Sequence, residues 1–287
     1  MDHALKLRNF AQEETAMPWT GTRVMAVSSG KGGVGKTNSV VNLAIAFSRM
    51  GKKVLLLDAD LGLGNLDVLL GLAPRYNIGH LLSGEKTIDE VLVKGPEGVM
   101  ILPASSGVHE LTDLGAEERI ALAAHLEELG DVFDIMIVDT GAGISSNVLF
   151  FNMSAQEIVV VVTPEPTSIT DAYALMKVMF QKHGERRFRL LVNSVKSKKE
   201  GLEVYRKISL AAERFLSISV EYLGCVPQDE NVSRSVIRQR AVMELYPETK
   251  ASQCYQEIAR EICDQPVQSS LKGGMQFFWR QFLKRTI

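Results

Sequence analysis

Two lysines stand among four glycines in the segment SSGKGGVGKT, Ser28–Thr37. The spacing Gly30-x-x-x-x-Gly35-Lys36-Thr37 is that of a phosphate-binding loop. In such a loop the backbone N–H groups of Gly32, Gly33, Val34, Gly35 and Lys36 cradle phosphate oxygens at the start of a helix. Lys36 reaches the β- and γ-phosphates, and the Thr37 hydroxyl sits on Mg²⁺. One lysine suffices for that chemistry, so Lys31, directly after the first glycine, calls for a role of its own. Carboxylates follow in two places. Asp58 and Asp60 end the apolar run KVLLLDAD, two residues apart. In an extended chain both would face one side, where a carboxylate can orient an attacking water; helix capping by Asp60 is the plainer alternative. Asp139 ends FDIMIVDT, the form of a strand whose carboxylate holds Mg²⁺ through water. Gly141 and Gly143 follow it as a hinge.

Elements that could position these groups are legible in the hydrophobic pattern. RVMAVSS, KVLLLDAD, GVMILPA, FDIMIVDT, EIVVVVTP, RFRLLVNS and VEYLGCVP are strand-length runs, mostly continuous rather than alternating. That suits strands buried on both faces. Helix-length segments lie between them, such as 36–50, 116–129, 167–183 and 198–215. The alternation predicts an α/β fold, a mostly parallel twisted sheet with helices on both faces. Its ligands would bind at the carboxyl ends of the strands, where the motifs fall.

The bulk numbers narrow the class. The chain has 287 residues, 46% hydrophobic and 23% charged, with a net charge of −2. This is an ordinary globular balance, and DNA binding is not expected from it. Cys225, Cys254 and Cys263 show no CxxC spacing, as for reduced thiols in the cytosol. No histidine pair has metal-ligand spacing, so no protein-bound transition metal is expected. The N-terminus lacks a secretory core, and no apolar run is long enough to span a membrane.

GKGGVGKT, DADLGLGNLDVLLG, DTGAGI and EPTSITDAYAL together resemble the MinD/ParA group of P-loop ATPases over residues 22–260 or so. The resemblance implies a Mg²⁺-dependent ATPase that hydrolyses ATP to ADP and phosphate. It implies that Lys31 crosses a dimer interface to phosphates held by the other subunit, so that an ATP-dependent homodimer forms. By the same resemblance Lys36 serves its own nucleotide, Asp60 positions the water, and Asp58 supports the Mg²⁺ side with Thr37 and Asp139. Asn193 would read the adenine, with Pro227 and Asp229 in the loop closing over the base.

The tails divide the chain into a docking tail, residues 1–20, an ATPase domain, 21–265, and a linker with a terminal helix, 266–287. DHALKLR, carrying Asp2, Ala4, Leu7 and Arg8, resembles the N-terminal motif of FlhG/FleN-type flagellar-number regulators. That motif docks on the FlhF GTPase, a relative of the signal-recognition-particle GTPases, and stimulates it. At the other end Met275, Phe278, Trp279, Phe282 and Leu283 share one helical face, opposite Arg280, Lys284 and Arg285. No acidic residue lies between Leu271 and Ile287, a composition suited to an anionic membrane surface. The alternative is a terminal helix packing on the domain. The expectation is a regulator of flagellar number or placement, a cytoplasmic monomer that becomes a peripheral inner-membrane dimer with ATP. A flagellar transcriptional activator and switch-complex proteins are the further partners that the resemblance implies. The rival readings are a MinD-type division-site ATPase, a ParA-type DNA-segregation ATPase, and a scaffold that binds ATP without useful turnover.

Overall fold

The computed structural model describes residues 21–62, 64–104, 114–130 and 132–266. Both tail motifs, at 2–8 and 275–283, lie outside the described residues. In chain order the first half runs β1 (Arg23–Ser29), α1 (Lys36–Arg49), β2 (Val54–Ala59), α2 (Leu66–Leu69), α3 (Ile78–Leu82), α4 (Ile88–Val91), β3 (Val93–Lys94), β4 (Met100–Leu102) and α5 (Ala116–Glu128). The second half runs β5 (Ile135–Ala142), α6 (Ser146–Ser154), β6 (Glu157–Val162), α7 (Pro166–His183), β7 (Arg187–Val195), α8 (Lys198–Leu216), β8 (Ser219–Pro227), α9 (Glu230–Ile237), α10 (Val242–Leu245) and α11 (Lys250–Asp264). The eight strands lie in the order β3-β4-β2-β5-β1-β6-β7-β8, parallel except for the β3–β4 pair.

The continuous apolar runs form strands because both faces of the sheet are covered. Met25 and Val27 of β1 point into one core, which α1 and α11 close. Val24 and Ala26, alternating with them, point into the opposite core. A third cluster gathers β6, β7 and β8 under α7 and α8. Each fully buried leucine or valine in these layers contributes about 1.5–3 kcal/mol. The sheet puts β5 and β6 on either side of β1. The chain leaves β1 toward β2 on one side and returns to β6 on the other, so the crevice at the end of β1 is the switch point where such sheets bind ligands.

The expected strands all form. Strand β3 was not expected, since two residues carry no readable period. The short helices α2, α3 and α4 likewise carry too few turns to show one; Asn77 and Thr87 cap α3 and α4 locally.

An ion cluster closes the opposite end of the sheet. Glu157 of β6 takes Arg23 Nε at 2.6 Å and Arg189 Nη1 at 2.8 Å. Arg23 also donates to the Ile262 carbonyl, and Arg189 Nη2 donates to Gln265 Oε1 at 2.5 Å. The cluster thus joins three strands to the end of α11. Glu157→Gln takes the ion-pair partner of buried Arg23 and leaves Arg189 with Glu221 alone, at 3.3 Å, at a cost of about 3–5 kcal/mol. For a domain of this size that is a fall in Tm of roughly 10 °C, which a thermal melt followed by circular dichroism reads directly.

Candidate functional site

The loop after β1 opens onto the N-terminus of α1. Gly35 precedes the helix at φ 83° and no side chain caps it. Gly33 also has positive φ, at 80°. These left-handed positions favour glycine and turn successive N–H groups toward one side. The uncapped first turn of α1 is therefore a ready anion site. Gly30 has a different reason for being glycine. A Cβ there would stand 2.2 Å from the Asp171 carbonyl carbon, because the first turns of α7 rest directly on the loop.

Lys36 and Asp139 meet beneath this cradle at 2.6 Å, with side chains 9% and 2% exposed. The Thr37 hydroxyl lies near enough to Asp139 to favour its charged form. Parallel pairing of β2 with β5 sets Asp58 opposite Asp139. Burial pushes the Asp58 carboxyl up to about 7, with the charge of Asp139 adding to the rise and Lys36 opposing it. Burial likewise raises Asp139 above the usual carboxylate range, against the pull of Lys36 and Thr37. Asp60, half-buried, lies beside Gly141, 3.4 Å from where a Cβ there would be, an ordinary contact distance. The Gly143 N–H donates to the Ser29 carbonyl at 2.9 Å and ties the end of β5 to the start of the loop.

One carboxylate, Asp139, thus touches the ammonium, and Asp58 and Asp60 lie close enough to Asp139 to interact with it. Hard oxygen donors in excess of cations suit a hydrated Mg²⁺, which takes one or two protein oxygens and fills its shell with phosphate and water. No cluster of three or more acidic, histidine or cysteine side chains forms a metal cage among the described residues. Thr37 and Asp139 are the residues that could hold such an ion, and the glycine cradle with Lys36 fits a nucleotide polyphosphate.

Other expected residues have additional work. Asp58 accepts the Asp60 N–H at 3.2 Å and the Leu66 N–H at 3.3 Å, so Asp58 rather than Asp60 does the capping. Asn193, at the end of β7, donates to the Val34 carbonyl at 2.8 Å and braces the phosphate loop. Pro227 ends β8, and Asp229 caps α9 through the Asn231 N–H at 2.9 Å. Both stand at the same end of the sheet as Asn193, where β7 pairs with β8. Lys31 lies on the rim, bonded to Glu165 Oε2 at 2.6 Å and Thr167 Oγ1 at 3.1 Å. Sequence reasoning missed both of those partners; they sit 134 and 136 residues away, inside a stretch quoted for its overall pattern. It also missed the network behind the loop. Ser28 Oγ meets Thr140 Oγ1 at 2.6 Å and accepts from Asn152 Nδ2 at 2.6 Å.

A family model described as an AAA domain matches residues 22–189. The Pseudomonas aeruginosa antiactivator FleN is 43% identical, covering 89% of this chain and 91% of its own. The chain belongs to the MinD/ParA-type ATPases, in their FlhG/FleN branch. Helicobacter pylori YlxH, a flagellum site-determining protein, is 33% identical over 92% of this chain and 90% of its own. The MinC:MinD cell division complex of Aquifex aeolicus contains a chain with TM-score 0.68 and 29% identity, covering 87% of this chain and 99% of that one.

A buried acid with a raised pKa holds a proton that unfolding releases. Its contribution to stability is present at low pH and falls as pH rises from about 4 to about 7, the interval between the unfolded and folded values of Asp58. Asp58→Asn removes that titration. Urea unfolding at pH 4.5 and 7.5, with chelator and without nucleotide, should show a loss on alkalinisation in the parent that is smaller in the variant by a few kcal/mol, on the order of 1.4 per pKa unit.

Proposed function

We propose that this chain is an ATP-dependent dimerising ATPase that regulates flagellar number or placement. The observation that carries the reading is a complete phosphate site, with a second lysine held on its rim. The uncapped α1 and the Lys36–Asp139 pair bind the chain's own nucleotide. Lys31 is 31% exposed at the rim, the right place for a group that serves a site on another chain. YlxH, named a flagellum site-determining protein, and FleN, named an antiactivator, support the biological role.

Each side chain then has a task. The loop N–H groups orient the triphosphate, and Lys36 neutralises the charge that builds on the transferring phosphate. Thr37 and Asp139 would hold Mg²⁺, which would supply a Lewis acid for the phosphate oxygens. Asp60, next to Gly141 and Gly143, positions the attacking water. Asp58 fixes the loop that carries Asp60 through its two backbone bonds. Asn193 and the 227–229 segment face the base. Hydrolysis to ADP removes the γ-phosphate that the partner's lysine holds, and the dimer separates.

Dimerisation also supplies the membrane step. Among the described residues no helix is long and apolar enough to cross a bilayer. The face built from Met275, Phe278, Trp279, Phe282 and Leu283 would bind an anionic surface only weakly as one copy. Two copies bind with an avidity gain of roughly 10²–10⁴. The protein would cycle between a cytoplasmic monomer and a peripheral inner-membrane dimer. Its partners would be the FlhF-type GTPase at residues 2–8, a flagellar transcriptional activator and switch-complex proteins.

Lys31→Ala should bind nucleotide as a monomer with near-parent affinity, yet fail to dimerise with a non-hydrolysable ATP analogue and lose turnover. Sizing chromatography decides it: a normal dimer in this variant removes the cross-subunit role. Deletion of residues 1–10 should leave ATPase activity and the dimer intact and remove stimulation of the FlhF GTPase. Stimulation that survives the deletion would remove the docking role of Asp2, Ala4, Leu7 and Arg8.

A further inference from the structure

The rim lysine is bonded within its own chain, and that bond is built in. Gly30 lies against the backbone of Asp171 and Ala172 so closely that no side chain would fit. Loop and helix N-terminus therefore hold one geometry, and the next residue, Lys31, faces the Glu165–Pro166–Thr167 corner where α7 begins. The Ser29 hydroxyl bonds the Lys31 carbonyl at 2.9 Å and steadies its backbone. Two of the three ammonium donors are used, one on the Glu165 carboxylate and one on the Thr167 hydroxyl. The Glu165 side chain is 63% exposed, and its described hydrogen bond is the one to Lys31, while its backbone carbonyl takes the Ile169 N–H at 3.1 Å and starts α7.

We propose that Glu165 and Thr167 are positioning residues that restrain Lys31 in the monomer and so set the protein concentration at which the nucleotide dimer forms. This rests on the cross-subunit role of Lys31. A lysine cannot keep both bonds and extend to a phosphate on another chain. Each dimer therefore breaks two such restraints, one per subunit, and only a strongly charged acceptor, the triphosphate of the partner, outbids a carboxylate already at 2.6 Å. A weaker anionic ligand leaves Lys31 at home. The restraint thus acts as a threshold that separates the triphosphate from the diphosphate, in addition to any preference of the loop itself. Because the pair is exposed, each restraint is worth roughly 1.4- to 5-fold in an equilibrium constant, or about 2- to 30-fold for the two together.

The test is the concentration dependence of dimerisation in the full chain, by sedimentation velocity with Mg²⁺ and a non-hydrolysable ATP analogue. Glu165→Gln should lower the dimer Kd roughly 2- to 30-fold. Its affinity for a fluorescent ADP analogue should stay at the parent value, which a general loosening of the site would not leave alone. Thr167→Val should shift the dimer Kd the same way by less, and serves if the first variant fails to fold. Glu165→Gln combined with Lys31→Ala should behave as Lys31→Ala alone, with no lysine left to release. An unchanged or raised dimer Kd in Glu165→Gln overturns the restraint, a raised one showing that Glu165 helps the dimer instead. Failure of the underlying reading looks different: Lys31→Ala would then dimerise normally, whatever Glu165 does.

Discussion

A buried ammonium against a buried carboxylate, Lys36 on Asp139, is the contact around which the rest of the molecule is arranged. Two charges taken out of water are costly unless they meet each other with further hydrogen bonds. Their position is set by two neighbouring parallel strands, β1 and β5, which deliver the loop and the acid to one end of the sheet. The third strand, β2, brings Asp58 to the same level, where burial first and the charge of Asp139 second raise its pKa. Steric room is a second constraint on the site: Gly30 and Gly35 stand where a Cβ would strike α7 or Asn193.

Much of this was legible in the sequence, because the signals were strong and local. Continuous apolar runs gave seven of the strands, since a strand buried on both faces leaves no polar positions to blur the pattern. The phosphate loop and the two acidic strand ends were readable because their spacing is set by backbone geometry. What escaped was long-range or very short. The two-residue β3 has no period to read. The Asn193 bond to Val34 spans 159 residues, and no local pattern announces it. Nor could spacing say that Asp58 would take the capping bonds, since that depends on how the chain turns after Ala59.

The rim of the site follows a different logic from its floor. Buried groups such as Lys36 are fixed by packing, and changing one disturbs the fold. Lys31, Glu165 and Thr167 are solvent-facing, individually weak, and replaceable without damage to a core. Such contacts suit adjustment. A lineage could retune the strength of self-association by altering one exposed side chain while the phosphate chemistry beneath stays as it is.

The Arg23–Glu157–Arg189 cluster gives the molecule two poles. It fastens the end of α11 to the strand ends farthest from the phosphate loop. Strand β1 alone, at 7 residues, puts roughly 20 Å between them. The described residues therefore end, at Pro266, at the pole opposite the chemistry, with the length of the sheet as a spacer between the two.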